Sequence, residues 1–337
     1  MKKLLLPFAW LYRAITSVRN ICYDNNWFRV RHVSVPVISV GNLSVGGTGK
    51  TPLVKYIANR CIQSGYTVAI ISRGYKRKSR GQVIVSEGSG PVVPVTDAGD
   101  EPYMLSYLIP ESIVIVDADR VAAAQTAIKD YHAEILIMDD GFQHRRLGRD
   151  YNIVVVPVQD VLNHESVMPA GRLRESWNGL RRASHIILTG ASDANNRRAL
   201  QFVASRTDAR IISAEKQTQP VLKNPLKDLT IDIESLDKAP DIFALAGIGN
   251  PEQFRLALEK MAVNTVHFEK FPDHYYYSNA DQRKILADFS ASGAEYLVIT
   301  AKDFVKWEQD FLKSYPIFYL PLEYSFSEDI FADIIKK

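Results

Sequence analysis

The sequence predicts an α/β protein, in which a doubly wound parallel sheet is followed by a second, smaller α/β domain. Apolar runs with the length of buried strands alternate with helical stretches through the first two-thirds of the chain, at residues 35–40, 68–71, 113–116, 135–138, 153–158 and 186–188. Continuous apolar strands separated by helices are typical of a parallel sheet covered on both faces. A polar segment with three prolines, 216–241, then predicts a connection, and apolar runs at 242–246 and 296–299 begin a second α/β pattern.

The bulk composition agrees with a folded protein of two domains. A chain of 337 residues is long enough for two hydrophobic cores. The net charge of +3 is too small to indicate nucleic acid as a partner, and the two cysteines form neither a disulfide framework nor a zinc motif. No apolar run approaches the roughly 20 residues that a membrane-spanning helix needs.

The first 30 residues form an aromatic, basic segment with an apolar helical face. The face consists of residues three and four positions apart: Leu4, Phe8, Leu11, Ile15 and Val18. Basic residues surround it, against the single acid Asp24: Lys2, Lys3, Arg13, Arg19, Arg29 and Arg31. Such a segment is typical of a helix that lies in a membrane interface. The alternative is that the apolar face packs on the protein's own core.

Residues 37–52 have the pattern of a buried strand, a glycine-rich turn and the start of a helix, which is the context of a nucleotide phosphate loop. The residues expected to bind nucleotide are Gly46, Gly47, Thr48, Gly49, Lys50 and Thr51. The glycines let backbone N–H groups close around phosphate oxygens, Lys50 can reach the β- and γ-phosphates, and Thr51 can bind Mg²⁺. Ser44 stands where the strict pattern has its first glycine, so a glycine-rich turn with a chance Gly-Lys-Thr is the alternative. The flanking strand and helix favour a P-loop NTPase-like domain.

Charged residues follow three of the predicted strands. Arg73, Arg120 and the pair Asp139-Asp140 come after the runs at 68–71, 113–116 and 135–138. Ligands bind at the carboxyl ends of strands in such sheets, and an acid at a strand tip holds Mg²⁺ in phosphate-loop proteins. Asp139 and Asp140 are therefore predicted metal ligands, without a preference between them. The candidate arginine clamps for polyphosphate are Arg73, Arg120, Arg172 and Arg174, although each alone can be a surface residue.

Two further motifs have a structural and a chemical interpretation. In Gly99-Asp100-Glu101-Pro102, Asp100 can be an ordinary helix cap, with the acid and proline in the first turn. In the aromatic loop 271–277, Asp273 precedes His274, and an Asp–His arrangement can orient a general base. The residues alone leave both interpretations open.

Taken together, the motifs resemble those of tetraacyldisaccharide 4′-kinases, the lipid A kinases. The resemblance rests on Gly41-Asn42, on residues 46–52, and on Ser72-Arg73-Gly74-Tyr75, Gly99-Asp100-Glu101-Pro102, Asp119-Arg120, 139–145, 169–175, 247–251, 271–274 and Thr300-Ala301-Lys302-Asp303. It covers almost the whole chain. Ala301 and Tyr275 depart from the family pattern, which usually has Glu and often has a second His at those positions.

The resemblance implies an enzyme that uses ATP and Mg²⁺ to phosphorylate the 4′-hydroxyl of a tetraacylated glucosamine disaccharide 1-phosphate, which gives lipid IVA. It implies Asp100 as the catalytic base, His274 as its support, and Lys50, Arg73 and Arg120 as further catalytic residues. The residues implied for substrate binding are Glu101, Gln143, His144, Arg174 and Glu175. The implied location is peripheral or monotopic, on anionic lipid at the cytoplasmic face of the bacterial inner membrane, with no nucleic acid partner.

The expected domains are an N-terminal membrane-facing segment (1–30), a P-loop kinase domain (31–215) and a smaller C-terminal α/β domain that closes the cleft (216–337). The alternative function is a membrane-recruited P-loop ATPase switch that positions other proteins. Its deviant phosphate loop would require a lysine where Val45 stands. A non-catalytic lipid-binding protein is a third possibility, which the intact Lys50-Thr51 pair disfavours.

Overall fold

The fold is that of a computed structural model, which describes residues 2–190, 193–330 and 334. Residue 1 of the expected N-terminal segment and residues 331–333 and 335–337 of the expected C-terminal domain lie outside the described residues. The side chains of Lys2 and Lys3, predicted to flank the apolar face, also lie outside the description.

The strands, in chain order, are β1 Val37–Asn42, β2 Val68–Ser72, β3 Val83–Glu87, β4 Ile113–Val116, β5 Ile135–Asp139, β6 Tyr151–Pro157, β7 His185–Thr189, β8 Arg210–Thr218, β9 Val221–Asn224, β10 Leu229–Asp232, β11 Asp241–Ala246, β12 Asn264–Lys270, β13 Tyr296–Thr300, β14 Ile317–Leu320 and β15 Leu322–Phe326. The helices are α1 Leu6–Asp24, α2 Lys50–Gln63, α3 Val95–Ala98, α4 Asp100–Leu108, α5 Arg120–Tyr131, α6 Val158–Leu162, α7 Asp193–Ala204, α8 Pro251–Glu259, α9 Asn279–Ser292, α10 Ala301–Phe304 and α11 Gln309–Ser314. Each apolar run of the sequence lies within or overlaps a strand.

Local sequence explains several helix boundaries. Asp119 caps α5 by accepting hydrogen bonds from the N–H groups of Val121 and Ala122. Ser278 and Asp281 form a reciprocal capping box at the start of α9, which ends at Gly293 in the left-handed conformation.

Two sheets organise the molecule. The larger has the order β15-β8-β7-β6-β1-β5-β2-β4-β3, and it is parallel except for its edge strands β3 and β15. Alternate residues of β1 and β2 enter cores on opposite faces, so the sheet is covered on both sides. The predicted doubly wound α/β fold is confirmed.

The smaller sheet has the order β10-β9-β14-β13-β11-β12, with a parallel centre and an antiparallel hairpin at one edge. Its inner strand β11 also contributes to cores on both faces, through Phe243 and Leu245 on one and Ile242 and Ala244 on the other. The second, smaller α/β unit is therefore present. We call the parts built around the large and small sheets the first and second lobes.

The chain passes between the lobes twice. The expected boundary at 215/216 falls inside β8, and β15 returns to the first sheet by pairing antiparallel with β8. Ile330 and Ile334 also enter the core of the first lobe. The segment 216–241, expected to be a connection, contains the end of β8 together with β9 and β10.

Helix α1 lies on the first lobe with its predicted apolar face outward. Phe8, Leu11 and Ile15 are each about 60% exposed, at 62%, 61% and 60%. The opposite side contributes Ala9 to the core and buries Thr16. The alternative in which the apolar face packs on the protein's own core is therefore wrong. None of the described helices is long and apolar enough to cross a membrane.

Candidate active site

The turn between β1 and α2 has the conformation that a phosphate loop requires. Gly46 and Gly49 have φ angles of 107° and 93°, which side-chain-bearing residues rarely adopt. The Asn42 amide donates to the Ser44 carbonyl oxygen at 2.6 Å and to Thr48 Oγ1 at 2.7 Å, and so closes the turn from inside. The N-terminus of α2 points its unpaired N–H groups into this turn, where an anion is favoured.

Ser44, which replaces the usual first glycine, has a structural role. Its hydroxyl donates to Asp160 Oδ2 at 2.6 Å, and both groups are buried. Arg172 joins the same cluster, since it donates to the Val45 carbonyl oxygen at 2.8 Å and lies 3.4 Å from Asp160 Oδ1. Arg172, expected as a polyphosphate clamp, therefore holds the backbone of the phosphate loop.

Asp140, after β5, is bound by two cations. Lys50 Nζ lies 3.4 Å from its Oδ1, and Arg174 donates to both carboxylate oxygens at 2.9 and 2.7 Å. Burial raises the pKa of Asp140, but the charges of Lys50 and Arg174 outweigh burial and hold the pKa below its ordinary value. Arg174, implied as a substrate residue, thus pairs with a predicted metal ligand.

Asp139 differs sharply from its neighbour. It is 2% exposed, and the Ser72 hydroxyl is 3.3 Å from its Oδ2. Burial, together with the negative charges of Glu101 and Asp140, raises the pKa of Asp139 to about 7. A cation beside Asp139 would offset the free-energy cost of ionising this buried carboxyl group. The influence of Glu101 also shows that the start of α4 lies close to the tip of β5.

Arg73 and Arg120 come together, as their places after β2 and β4 predict. Arg120 is 5% exposed, and burial, with the nearby charge of Arg73, lowers the pKa of its guanidinium. Its Nε has no hydrogen-bond partner within the described part of the chain. Burial and Arg120 also lower the pKa of His144 to about 4, so this imidazole is neutral near pH 7. Arg120 also lies near the acids Asp139 and Asp140, whose charges act on its guanidinium.

Asp100 and His274 are in contact, although 174 positions separate them. His274 Nδ1 lies 2.8 Å from Asp100 Oδ2, and Lys302 Nζ lies 3.2 Å from His274 Nε2. An ammonium group can only donate, so His274 Nε2 accepts a hydrogen bond from Lys302. The ring proton is therefore on Nδ1, which donates to Asp100. Lys302 also binds Asp273 at 2.9 Å.

A second lysine reaches the same carboxylate. Lys306 Nζ lies 3.5 Å from Asp100 Oδ2 and 3.4 Å from Asp303 Oδ1, and its side chain is 3% exposed. Asp303, fully buried, accepts from Thr300 Oγ1 and from the Gly247 N–H. Both contacts to Asp100 use Oδ2, so Oδ1 remains for another donor.

The simple capping interpretation of Asp100 is wrong. Helix α4 begins at Asp100 with Gly99 as its N-cap, and no side-chain hydrogen bond caps it. Gly99 has a φ of 87°, and a Cβ at this position would lie 3.0 Å from the Tyr75 carbonyl oxygen. A glycine here therefore lets the turn after β2 pack on the start of α4.

The implied substrate role of Glu175 needs correction. Glu175 is 1% exposed, and its oxygens accept from Arg182, from Asn20 of α1 at 2.8 Å and from Gln143 at 3.1 Å. Both oxygens are occupied, so no face of the carboxylate is open to a substrate. Glu175 instead fixes α1 to the Gln143 side chain, whose Oε1 lies 3.4 Å from Arg174.

Sequence reasoning missed several residues that complete the site. Lys306 and the α1 residues Tyr12 and Asn20 had no motif of their own, although Tyr12 donates to the Arg174 carbonyl oxygen at 2.9 Å. The available signal for Lys306 was its position, since it lies four residues after Lys302 and just past the end of α10.

The assembled site has groups that can bind an anion and a carboxylate that can accept a proton. The phosphate loop and four cations (Lys50, Arg73, Arg120 and Arg174) lie at the carboxyl edge of the first sheet. A carboxylate with one open oxygen, Asp100, is held from the second lobe by His274 and Lys306. These are the parts that phosphoryl transfer to a hydroxyl group requires.

Comparison with known proteins agrees with this arrangement. The sequence model of the family LpxK, tetraacyldisaccharide-1-P 4′-kinase, matches residues 1–337. The tetraacyldisaccharide 4′-kinase of Aquifex aeolicus is 36% identical over 306 residues, which cover 91% of this chain and 90% of that protein. The enzyme of the same name from Desulfotalea psychrophila is 37% identical over 315 residues, with 89% and 86% covered.

A solved structure shares the whole fold. LpxK from Aquifex aeolicus in complex with ATP superposes with a TM-score of 0.80 at 34% identity, and the match covers 97% of this chain and 96% of the other. Coverage of both chains is nearly complete, and the sequence-derived resemblance is confirmed. This chain belongs to the tetraacyldisaccharide-1-P 4′-kinase family.

Proposed function

We propose that the protein transfers the γ-phosphate of ATP to the 4′-hydroxyl of a tetraacylated glucosamine disaccharide 1-phosphate, which yields lipid IVA. Family membership supports the reaction, and the relative bound to ATP supports ATP as the donor. The observation that carries the proposal is the contact between Asp100 and His274, which braces a carboxylate from the second lobe. Glu101, the next residue, is near enough to Asp139 at the strand tips for its charge to raise the pKa of Asp139.

In this proposal the nucleotide binds along the phosphate loop. Backbone N–H groups of residues 46–49 cradle the phosphates, Lys50 contacts the β- and γ-phosphates, and Arg73 and Arg120 balance charge on the transferring group. Arg120 Nε has no partner among the described residues, and this supports the role, because a buried donor without an acceptor is costly.

Mg²⁺ fits the donors at the tips of the strands. Within the described ranges, no group of three or more His, Cys, Asp or Glu side chains could hold a metal alone. Mg²⁺ commonly takes one or two carboxylates together with substrate phosphates and water. Thr51, Asp139 and Asp140 would hold it, and the bound ion would neutralise charge on the phosphate oxygens.

The acceptor hydroxyl needs a base, and Asp100 fits that role. As the 4′-oxygen forms its bond to the γ-phosphorus and the bond to ADP breaks, the hydroxyl proton passes to Asp100 Oδ1. His274 and Lys306 hold Oδ2 and orient the carboxylate. A positioned base contributes roughly 10²–10⁴-fold in rate. Glu101, Gln143 and His144 line the approach of the sugar in this proposal.

The acyl chains place the substrate in a membrane, so the enzyme must reach a sugar at its surface. The exposed apolar face of α1 carries Phe8, Leu11 and Ile15, with the exposed Arg13 nearby. An amphipathic helix of this kind binds an interface that contains anionic lipid. We place the protein on the cytoplasmic face of the bacterial inner membrane, in peripheral or monotopic association.

Lipid-dependent phosphoryl transfer tests the proposal. Purified protein with Mg-ATP and the disaccharide lipid in detergent should form a bisphosphorylated lipid and one ADP for each product molecule. Lys50→Ala should reduce the rate by ~10² or more while the protein remains folded. ATP hydrolysis that anionic lipid stimulates without a phosphorylated lipid would instead support an ATPase switch. A folded Lys50→Ala protein with near-normal kinase activity would contradict the assignment of the phosphate loop.

A further inference from the structure

Strand β8 extends beyond the sheet at the edge where the nucleotide would bind. Its register with the parallel strand β7 ends at Thr189, opposite Ala214, so residues 215–218 project past the carboxyl end of β7. Among the described strands, β15 alone pairs with this extension, and Tyr324 lies opposite Lys216. A two-stranded ribbon therefore rises at the carboxyl edge of the first lobe.

One face of this ribbon continues the core and then reaches the phosphate loop. Ile212 and Ala214 enter the core beneath α2. Side chains alternate along a strand, so Lys216 points to the same side as Ile212 and Ala214, over the start of α2. A lysine thus interrupts the apolar pattern at the point where the strand passes the phosphate loop.

The contacts around Gly49 locate the lysine stem. A Cβ placed on Gly49 would lie 3.1 Å from Lys216 Cε and would overlap the Tyr324 hydroxyl. That hydroxyl lies 3.4 Å from the Thr48 carbonyl oxygen. The ammonium group is one bond beyond Cε, so it lies at the surface of the loop that would bind phosphate.

The charge of Lys216 has no counterpart in the part of the chain that the structure describes. Across residues 2–190, 193–330 and 334, no hydrogen-bond or ion-pair partner contacts its ammonium, although the side chain is half-buried. Burial lowers its pKa, and no neighbouring carboxylate opposes that effect. A nearby lysine of α2 differs, because Lys55 pairs with Glu323 of the ribbon at 3.5 Å.

We propose that Lys216 is a nucleotide-binding residue whose ammonium, carried by the ribbon of β8 and β15, binds the polyphosphate of ATP. This inference rests on the proposed function, since it requires nucleotide at the phosphate loop. It adds a cation that lies outside the Gly-x-Gly-Lys-Thr motif and more than 160 positions along the chain from it. The ribbon also joins the lobes, so the nucleotide contacts the connection between them.

Binding of Mg-ATP and of adenosine to the full chain tests the inference by calorimetry. Lys216→Met keeps the stem but removes the charge, and should raise the Kd for ATP about ten- to hundredfold, the usual size of a charge-assisted contact. Adenosine, which lacks phosphate, should bind both proteins equally. Lys216→Arg should retain ATP binding within a few-fold, and Lys55→Met is the matched control that should behave as wild type.

Thermal melting separates a binding role from a packing role. Without nucleotide, Lys216→Met should melt at or above the wild-type temperature, because an unpaired charge has been removed. ATP should raise the Tm of Lys216→Met by less than it raises the Tm of wild type. In turnover, the KM for ATP should rise while the KM for lipid stays unchanged. Lys216→Gln provides the same comparison if the methionine variant aggregates.

Two results would overturn the inference. If Lys216→Met binds ATP as wild type does while Lys50→Ala loses it, Lys216 is not a ligand and the proposed function stands. If Lys216→Met is destabilised without nucleotide and loses ATP and adenosine alike, the lysine is a packing residue. Failure of the wild-type protein to bind ATP would instead contradict the proposed function.

Discussion

At the scale of single residues, the carboxylate of Asp100 depends on groups from the other lobe. His274 contacts Asp100 Oδ2 at 2.8 Å and Lys306 lies 3.5 Å from the same atom. Lys302 in turn fixes the imidazole through Nε2. The tautomer of His274 and the free oxygen of Asp100 are thus set by two lysines, one in α10 and one just after it.

If Asp100 and His274 act as one unit, their losses should not add. Asp100→Ala is expected to lower kcat by ~10² or more. Adding His274→Ala to the Asp100→Ala variant should lower kcat little further. Single-turnover rates of the two single variants and the double variant measure this. ATP affinity serves as the control and should be unchanged in all three. Fully additive losses in rate would mean that the two residues act separately.

Asp139 makes stability depend on pH in an unusual direction. Its folded pKa of about 7 lies above the ordinary value of 3.8, so the folded state holds a proton that the unfolded state has already lost. Stability from this group is complete below about pH 4 and is lost as the pH rises through about 7. Without Mg²⁺, Asp139→Asn should therefore gain in Tm relative to wild type between pH 6 and 8, by ~2 °C or more. A Tm difference between the two proteins that does not grow from pH 4 to pH 8 would contradict the raised pKa of Asp139.

At the scale of elements, helix α1 has two functions on its two sides. Its outer face exposes Phe8, Leu11 and Ile15, while its inner face donates from Tyr12 and Asn20 to Arg174 and Glu175. Arg174 binds Asp140, which also contacts Lys50. A continuous set of contacts therefore joins the proposed membrane helix to the phosphate loop.

Changing Phe8, Leu11 and Ile15 together to Ser should release the protein from anionic vesicles. These side chains are exposed, so the Tm should change little, and ATP binding should be retained. Activity on lipid in vesicles should fall, while activity in detergent stays near the wild-type rate. Vesicle sedimentation and a melting curve on the same variant provide the measurement. Unchanged sedimentation of a folded triple variant would remove α1 from the membrane contact.

The sequence predicted the elements whose pattern is local. Continuous apolar runs located the central strands, and the residues after β2, β4 and β5 were correctly placed at one edge. Edge strands such as β15 and β10 were missed, because one face is exposed and their polar residues resemble a loop. The contact of Asp100 with His274 and the burial of Glu175 depend on distant partners, which no local pattern contains.

At the scale of the whole molecule, the lobes are interleaved along the chain. Strand β15 follows every strand of the second sheet, yet Tyr324 and Phe326 pack against the core of the first lobe. Helix α4 contacts the second lobe in the other direction, since the rings of Tyr107 and Phe304 lie 5.9 Å apart. Sequence position alone therefore misassigns the last part of the chain.

Phe326→Ala should loosen the first lobe and leave the second intact. The ring packs on Tyr56 of α2, with centroids 4.7 Å apart, and truncation of a largely packed aromatic residue costs about 3–5 kcal/mol when burial is complete. Hydrogen exchange should become faster in α2 and β8 and stay unchanged in β13. The matched control is Tyr296→Ala, because the Tyr296 ring contacts Phe318 of the second lobe. In this variant, hydrogen exchange should become faster in β13 and stay unchanged in α2 and β8. Faster exchange confined to β13 in Phe326→Ala would assign β15 to the second lobe.

The return of β15 also has a consequence for synthesis on the ribosome. Residues 37–51 emerge early, but Tyr324, which covers Gly49, emerges only after the entire second sheet has been made. The nascent phosphate loop is therefore left without its cover while some 270 further residues are translated. An incomplete polypeptide would lack the ribbon strand opposite Lys216. If the ribbon binds nucleotide as proposed, a nascent chain would reach its full affinity for ATP only once β15 has been made.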